Sequence, residues 1–178
     1  MSTDVSFTVR ELDRARDKRA VEAIDTAFET TTVFDLVTAP RAIELVERPL
    51  AKPLTKRYSI AEVFAGWARW DHGWVAYDGG VRGFATVEYE LWHKRLILWF
   101  LYVDPAWRRR GVGRALLAQV EAHGREVGAT HVWLETSNVN VPGVRFYERV
   151  GYSLCGADRL YYGGYMPGET AIYFAKML

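Results

Sequence analysis

The sequence of 178 residues is poor in several things, and each scarcity narrows what it can be. A single cysteine, Cys155, leaves no partner for an internal disulfide and no second thiol for a metal or redox pair. Cys155 is therefore expected to be a small buried core residue. Net charge is nearly absent, at +1, so nothing draws the whole chain toward nucleic acid or a membrane surface. Long apolar runs are also missing: the longest, residues 96–103, is far too short to span a bilayer. The polar, mixed-charge start of the chain carries no apolar signal region, and a cytoplasmic protein is expected. None of the four histidines has a Cys, His or carboxylate at metal-ligand spacing, so no metal is expected.

What is present suits one globular domain over residues 1–178: 49% apolar and 25% charged residues, enough for a real core. Residues 5–9 alternate as a strand, and residues 14–28 carry apolar positions at helical spacing. Two short strands, 33–37 and 43–46, are expected around Ala39-Pro40, with Pro49 and Pro53 interrupting the chain beyond them. Ser59-Ile60-Ala61-Glu62 fits a capping box opening a helix to about Trp67. A meander follows: strands 73–77, 81–92 and 95–103, joined by Asp78-Gly79-Gly80 and by a two-residue turn, His93-Lys94. The third strand is apolar on both faces, which places it in the interior of a sheet. A helix over 111–127 stops at Gly128, a strand covers 130–134, a short helix follows Pro142, and closing strands cover 152–154 and 170–175. This order predicts an α/β (α+β) fold, a central mixed and mostly antiparallel twisted sheet with helices on both faces.

Between the buried strand and the 111–127 helix lies Arg108-Arg109-Arg110-Gly111-Val112-Gly113-Arg114-Ala115. A glycine loop opening a helix aims unpaired N–H groups and the helix dipole at one place, which suits a phosphate or pyrophosphate.

Arg108-x-x-Gly111-x-Gly113 resembles the pyrophosphate-binding signature of the GNAT N-acetyltransferases. Asn140-x-x-Gly143-x-x-Phe146-Tyr147-x-x-x-Gly151-Tyr152 resembles that family's second signature, with Gly143 where alanine is usual. Leu134-Glu135-Thr136, Cys155-Gly156-Ala157-Asp158, Leu160-Tyr161-Tyr162 and Pro53-Leu54-Thr55-Lys56 are similar to the streptothricin acetyltransferases. The resemblance implies an acyl-CoA-dependent enzyme that moves acetyl from acetyl-coenzyme A to a primary amine of a small cationic acceptor. A streptothricin-like antibiotic is the sharpest version. A protein or peptide acceptor and a non-catalytic coenzyme A-binding module are the alternatives. A homodimer is compatible with the family.

The implied cofactor contacts are Leu101, Tyr102 and Val103, the loop Arg108 to Ala115, Asn140 and Tyr147. Tyr147 is the implied general acid. Asn140 would bind the pantetheine arm or a water, with plain helix capping as its ordinary role. One departure stands out: the adjacent Glu-Asp pair expected just before the loop is replaced by Trp99-Phe100. The two-residue turn would pair Glu88 with Trp99 and Glu90 with Ile97, moving a carboxylate one strand over. Glu88 is thus the first candidate base and Glu135 the second, with a water chain as a third route. Phe34, Asp35, Glu88, Glu90, Trp92, Trp99 and Tyr162 are the candidate acceptor contacts, and Trp67 and Trp70 are further aromatic candidates.

Overall fold

A computed structural model of the chain describes residues 6–178. In chain order the elements are β1 (Thr8–Glu11), α1 (Lys18–Glu22), β2 (Phe28–Ala39), β3 (Ala42–Lys56) and a 3-10 turn (Ala61–Phe64). Next come β4 (His72–Tyr77), β5 (Val81–Glu90), β6 (Arg95–Val103), a second 3-10 turn (Pro105–Trp107) and α2 (Val112–Glu126). The chain closes with β7 (His131–Ser137), α3 (Val141–Arg149), β8 (Ser153–Asp158) and β9 (Ala171–Met177). These form two compact units. The first holds the chain up to Ala27, residues 57–132 and Leu178; the second holds Phe28–Lys56 and Trp133–Met177.

In the first unit the strands lie in the order β1-β4-β5-β6, and all three ladders are antiparallel. One face of this sheet packs Val75 and Phe84 against Val21, Ile24, Ile60, Val63 and Trp70. The other receives α2, whose Val112, Leu116, Leu117 and Val120 are buried. Two glycines permit that second contact. A Cβ on Gly83 would meet the Tyr102 carbonyl at 2.9 Å and Val112 Cγ1 at 3.2 Å; one on Gly124 would meet Leu96 Cδ2 at 3.3 Å.

The second unit contains the antiparallel hairpin β2-β3, the strands β7-β9-β8 in that order, and α3. Asn138 pins the hairpin to the β7 end. Its Nδ2 donates to the Phe34 carbonyl at 2.8 Å, and the Phe34 N–H donates to the Asn138 carbonyl at 3.1 Å.

Several local expectations change. The opening strand starts at Thr8, and Val5 lies outside the described residues. The helix expected over 14–28 shrinks to α1, because polar side chains take the backbone groups on either side. Asp13 Oδ1 accepts the N–H groups of Ala15 and Arg16, and Asp25 Oδ1 that of Ala27. The two short strands become one long hairpin. Thr30 pairs with Leu54 and Thr32 with Pro49, so a register shift holds residues 50–53 and absorbs both prolines without ending β3. The capping box does not form. Ser59 Oγ accepts only the Ala61 N–H, at 3.3 Å, and the turn ends at Phe64. Cys155 is exposed rather than buried, at the irregularity between Leu154 and Gly156 of β8.

Candidate active site

The loop that follows β6 is held at both ends. The Asp104 N–H donates to the Arg82 carbonyl at 2.9 Å, and the Asp104 carboxylate caps the next turn through the Ala106 N–H at 2.9 Å. Arg108 turns back, its Nε donating to the Val103 carbonyl at 3.1 Å, and burial lowers its pKa. Arg109 and Gly111 then adopt left-handed backbone, φ 60° and 85°, which points the chain into α2. The first helical bond runs from the Ala115 N–H to the Gly111 carbonyl, 2.9 Å. Ala115 is therefore not a free backbone donor, as the loop reading had it; the N–H groups of Val112, Gly113 and Arg114 precede the helical ladder and remain the candidates. A Cβ on Gly111 would meet nothing within 4 Å, so space lies open beside the loop. Arg82 and Arg110 both lie against the Trp107 ring, 5.1 and 5.6 Å from its centroid. Open space, early helical N–H groups and clustered guanidiniums fit the pyrophosphate of a coenzyme. Leu101, Tyr102 and Val103 stand in register opposite Ala85, Phe84 and Gly83.

The Glu88 pairing differs from the expected one. The β5–β6 connection is a four-residue turn, Leu91 to Lys94, so Glu90 pairs with Arg95 and Glu88 with Ile97. A bulge follows: Val87 pairs with Leu98 and Thr86 with Phe100, leaving Trp99 as the extra residue. The bulge interrupts the alternation of β6, so burial on both faces holds for Leu96 to Leu98 and fails at Trp99, which is 38% exposed. It also turns the indole onto Glu88: Trp99 Nε1 donates to Glu88 Oε2 at 3.0 Å. The other carboxylate oxygen faces Arg69 Nε at 3.5 Å. Sequence pattern gave no hint of Arg69. Glu90 lies instead at the hairpin end, bonded to His93 and to Arg95 at 2.9 Å. Trp92 is 81% exposed in the turn, stacked on His93, and Trp67 is also exposed. Trp70 is buried, its Nε1 donating to the Val63 carbonyl.

In the second unit, Glu135 on β7 is half-buried and accepts a hydrogen bond from the Tyr162 hydroxyl. Burial raises its pKa to about 6, against the opposing hydrogen bond from Tyr162 and with the help of the Glu169 charge. Tyr161 stacks edge-on against Tyr162 and Tyr173, neighbours that the sequence reading passed over. Glu169 is paired with Lys56 and accepts from Ser137 Oγ at 2.5 Å. Tyr147 on α3 is buried among Phe146, Tyr152 and Phe174. Asn140 caps α3: Oδ1 accepts the Gly143 N–H at 3.2 Å, and Nδ2 donates to Thr136 Oγ1 at 3.0 Å. Phe34 is buried and Asp35 is bound by both ends of the Arg48 guanidinium, at 2.6 and 3.2 Å. Burial and that ion pair account for Phe34 and Asp35 as parts of the hairpin rather than as acceptor contacts. Among the described residues no group of three or more metal-ligating side chains gathers, and no helix is long and apolar enough to cross a membrane.

A glycine-opened helix after a bulged strand, beneath clustered arginines, defines an acyl-coenzyme A-dependent transferase. The chain belongs to the acetyltransferase (GNAT) family, whose model matches residues 39–152, and it is an acetyl-CoA-dependent acetyltransferase. It is 37% identical over 171 residues to a streptothricin acetyltransferase of Streptomyces lavendulae, covering 91% of this chain and 90% of that one. The solved structure of a nourseothricin acetyltransferase superposes with a TM-score of 0.86 at 36% identity, covering 97% and 99% of the two chains. A Bacillus anthracis structure in complex with acetyl coenzyme A gives a TM-score of 0.81 at 26% identity, over 97% and 100%.

Proposed function

We propose that the protein acetylates a primary amine of a cationic, streptothricin-like antibiotic, with acetyl-coenzyme A as donor. The observation that carries this reading is the near full-length similarity to the streptothricin acetyltransferase, 37% identity over 91% of the chain. It is supported by a half-buried carboxylate at Glu88 in a first unit otherwise rich in arginine.

Acetyl-coenzyme A supplies an activated carbonyl and a thiolate leaving group. The N–H groups of Val112, Gly113 and Arg114, with Arg109 and Arg110, hold its pyrophosphate, and the backbone of Leu101, Tyr102 and Val103 takes the pantetheine arm. Asn140 supports that arm through the helix it caps. An amine reaches the enzyme as an ammonium ion and must lose a proton before its lone pair can attack. Glu135 suits that task better than Glu88: a carboxylate with a pKa of about 6 is ionised at neutral pH yet holds a proton once it has one. The nitrogen–carbon bond forms, the carbon–sulfur bond breaks, and the Tyr147 hydroxyl gives its proton to the departing sulfur. Glu88 and Trp99 offer the acceptor a negative charge and an aromatic face; Tyr162 orients Glu135. In this reading residues 1–178 act as one catalytic domain in the cytoplasm, on a small molecule and without nucleic acid, as a monomer or a homodimer that sedimentation distinguishes.

The test is free-thiol release with streptothricin and a panel of amines and peptides. Turnover with streptothricin is expected, and Tyr147→Phe should lower kcat by about 10²-fold or more. Turnover with peptide amines alone would move the acceptor to proteins. Acetyl-coenzyme A binding without any turnover would leave a binding module.

A further inference from the structure

We infer that Arg69 holds the place of the acceptor's cationic group on Glu88, so that acceptor binding exchanges one cation for another at a single carboxylate oxygen. The inference rests on the reading above, that the acceptor is a cationic amine.

The two oxygens of Glu88 are treated differently. Oε2 receives a neutral, fixed donor, the Trp99 indole at 3.0 Å, positioned by the β6 bulge. Oε1 receives only Arg69 Nε at 3.5 Å. Glu88 is 17% exposed and belongs to an interior strand, where a bare carboxylate is costly. Arg69 is 72% exposed and approaches through one nitrogen. Arginines elsewhere in the molecule bind carboxylates with both arms of the fork: Arg10 holds Asp17 at 2.7 and 2.8 Å. The Arg69 contact is thus close enough to offset the charge of Glu88 and loose enough to be lost to water cheaply.

The backbone around Arg69 is anchored, so only its side chain need move. Trp70 is buried, with its Nε1 on the Val63 carbonyl and the Arg14 guanidinium 3.6 Å from its ring centroid. The Asp71 N–H donates to the Val87 carbonyl at 2.9 Å, and the Tyr89 N–H donates to Asp71 Oδ2 at 3.3 Å. These two bonds bracket Glu88 on β5 and hold Arg69 beside it. An ammonium group arriving at Oε1 would meet a carboxylate already oriented by Trp99 and would displace a guanidinium that has solvent to return to.

The test is a double-mutant cycle of Arg69→Ala and Glu88→Gln, read as the acceptor KM with streptothricin. Arg69→Ala alone should lower that KM about two- to five-fold, with the KM for acetyl-coenzyme A as in wild type. Glu88→Gln should raise the acceptor KM about tenfold or more. In the Glu88→Gln background, Arg69→Ala should change nothing further, because the two cations then have no shared oxygen to contest. An equal gain in both backgrounds would mean a diffuse field effect and would overturn the exchange, as would a raised or unchanged KM in the single variant. Lack of wild-type turnover with any amine would instead overturn the functional reading and the inference with it.

Discussion

Asn140 lies over the hydrogen of Gly143: a Cβ there would stand 2.8 Å from Asn140 Cγ and 2.9 Å from its Oδ1. The family signature carries alanine at this position. The missing methyl gives the asparagine room to cap α3 through the Gly143 N–H. Asn140→Ala should therefore cost about 1 kcal/mol of stability. Gly143→Ala should destabilise the native protein by displacing the cap, yet stabilise the Asn140→Ala variant through helix propensity by up to about 1 kcal/mol. Urea unfolding of the four proteins checks the change of sign.

Glu135 couples activity and stability to pH in opposite directions. Its folded pKa, about 6, lies above the ordinary 4.5 because burial disfavours the charged form. The folded protein therefore binds a proton more tightly than the unfolded chain. Its contribution to stability is full below about pH 4.5 and is lost as pH rises through about 6, by roughly 2 kcal/mol. The base form appears over the same range, so kcat/KM should climb through about pH 6. Glu135→Gln should be the more stable protein at pH 8 and should lose the climbing limb; a variant with the wild-type pH–rate profile would remove Glu135 from the chemistry.

The two loop glycines should fail in different ways. Gly111→Ala meets no atom, since nothing lies within 4 Å of its Cβ, but the left-handed φ of 85° makes it cost about 1 kcal/mol or more. Gly113→Val puts a branched side chain among the N–H groups that take the pyrophosphate. Calorimetry should find acetyl-coenzyme A binding weakened in the first variant and lost in the second, with the fold retained by circular dichroism in both.

His72 and His123 stack with ring centroids 4.2 Å apart, and Trp74 lies 5.4 Å from each. Burial first, and the His72 charge second, lower the His123 pKa, while Asp71, Glu126 and Glu11 oppose the shift. The unfolded chain then takes up this proton more readily, so stability is full above about pH 6.5 and falls as the solution is acidified below it. His123→Phe keeps the stacked shape and removes the charge, and should flatten the difference in urea midpoint between pH 5.5 and pH 8.

Legibility followed the range of the interactions concerned. The loop from Arg108 to Ala115 was readable because an anion cradle is a local construction: glycines, helix start and arginines are all near neighbours in sequence. The meander was readable for a similar reason, since alternation and the Asp78-Gly79-Gly80 turn are short-range signals. The helix over 14–28 was misread where Asp13 and Asp25 bond their own backbone, a contest that apolar spacing does not register. Pro49 and Pro53 were taken as interruptions because a bulge that shelters them exists only once β2 is alongside. Cys155 followed its residue type into an expected core, while a local irregularity in β8 turned it outward.

The stretch from Ile97 to Leu117 divides between the two sources of information. Sequence alone determined its second half, the turn, the left-handed glycine and the helix, because those follow from which residues tolerate which backbone angles. It also determined that an acidic pair was missing at Trp99-Phe100. Only the tertiary structure decided what stands there instead. A four-residue turn and a one-residue bulge set the register of β6 against β5, and that register brings the Trp99 indole to Glu88 and leaves the other oxygen to Arg69. Register is a property of paired strands, so no reading of one strand at a time could have placed those three side chains together.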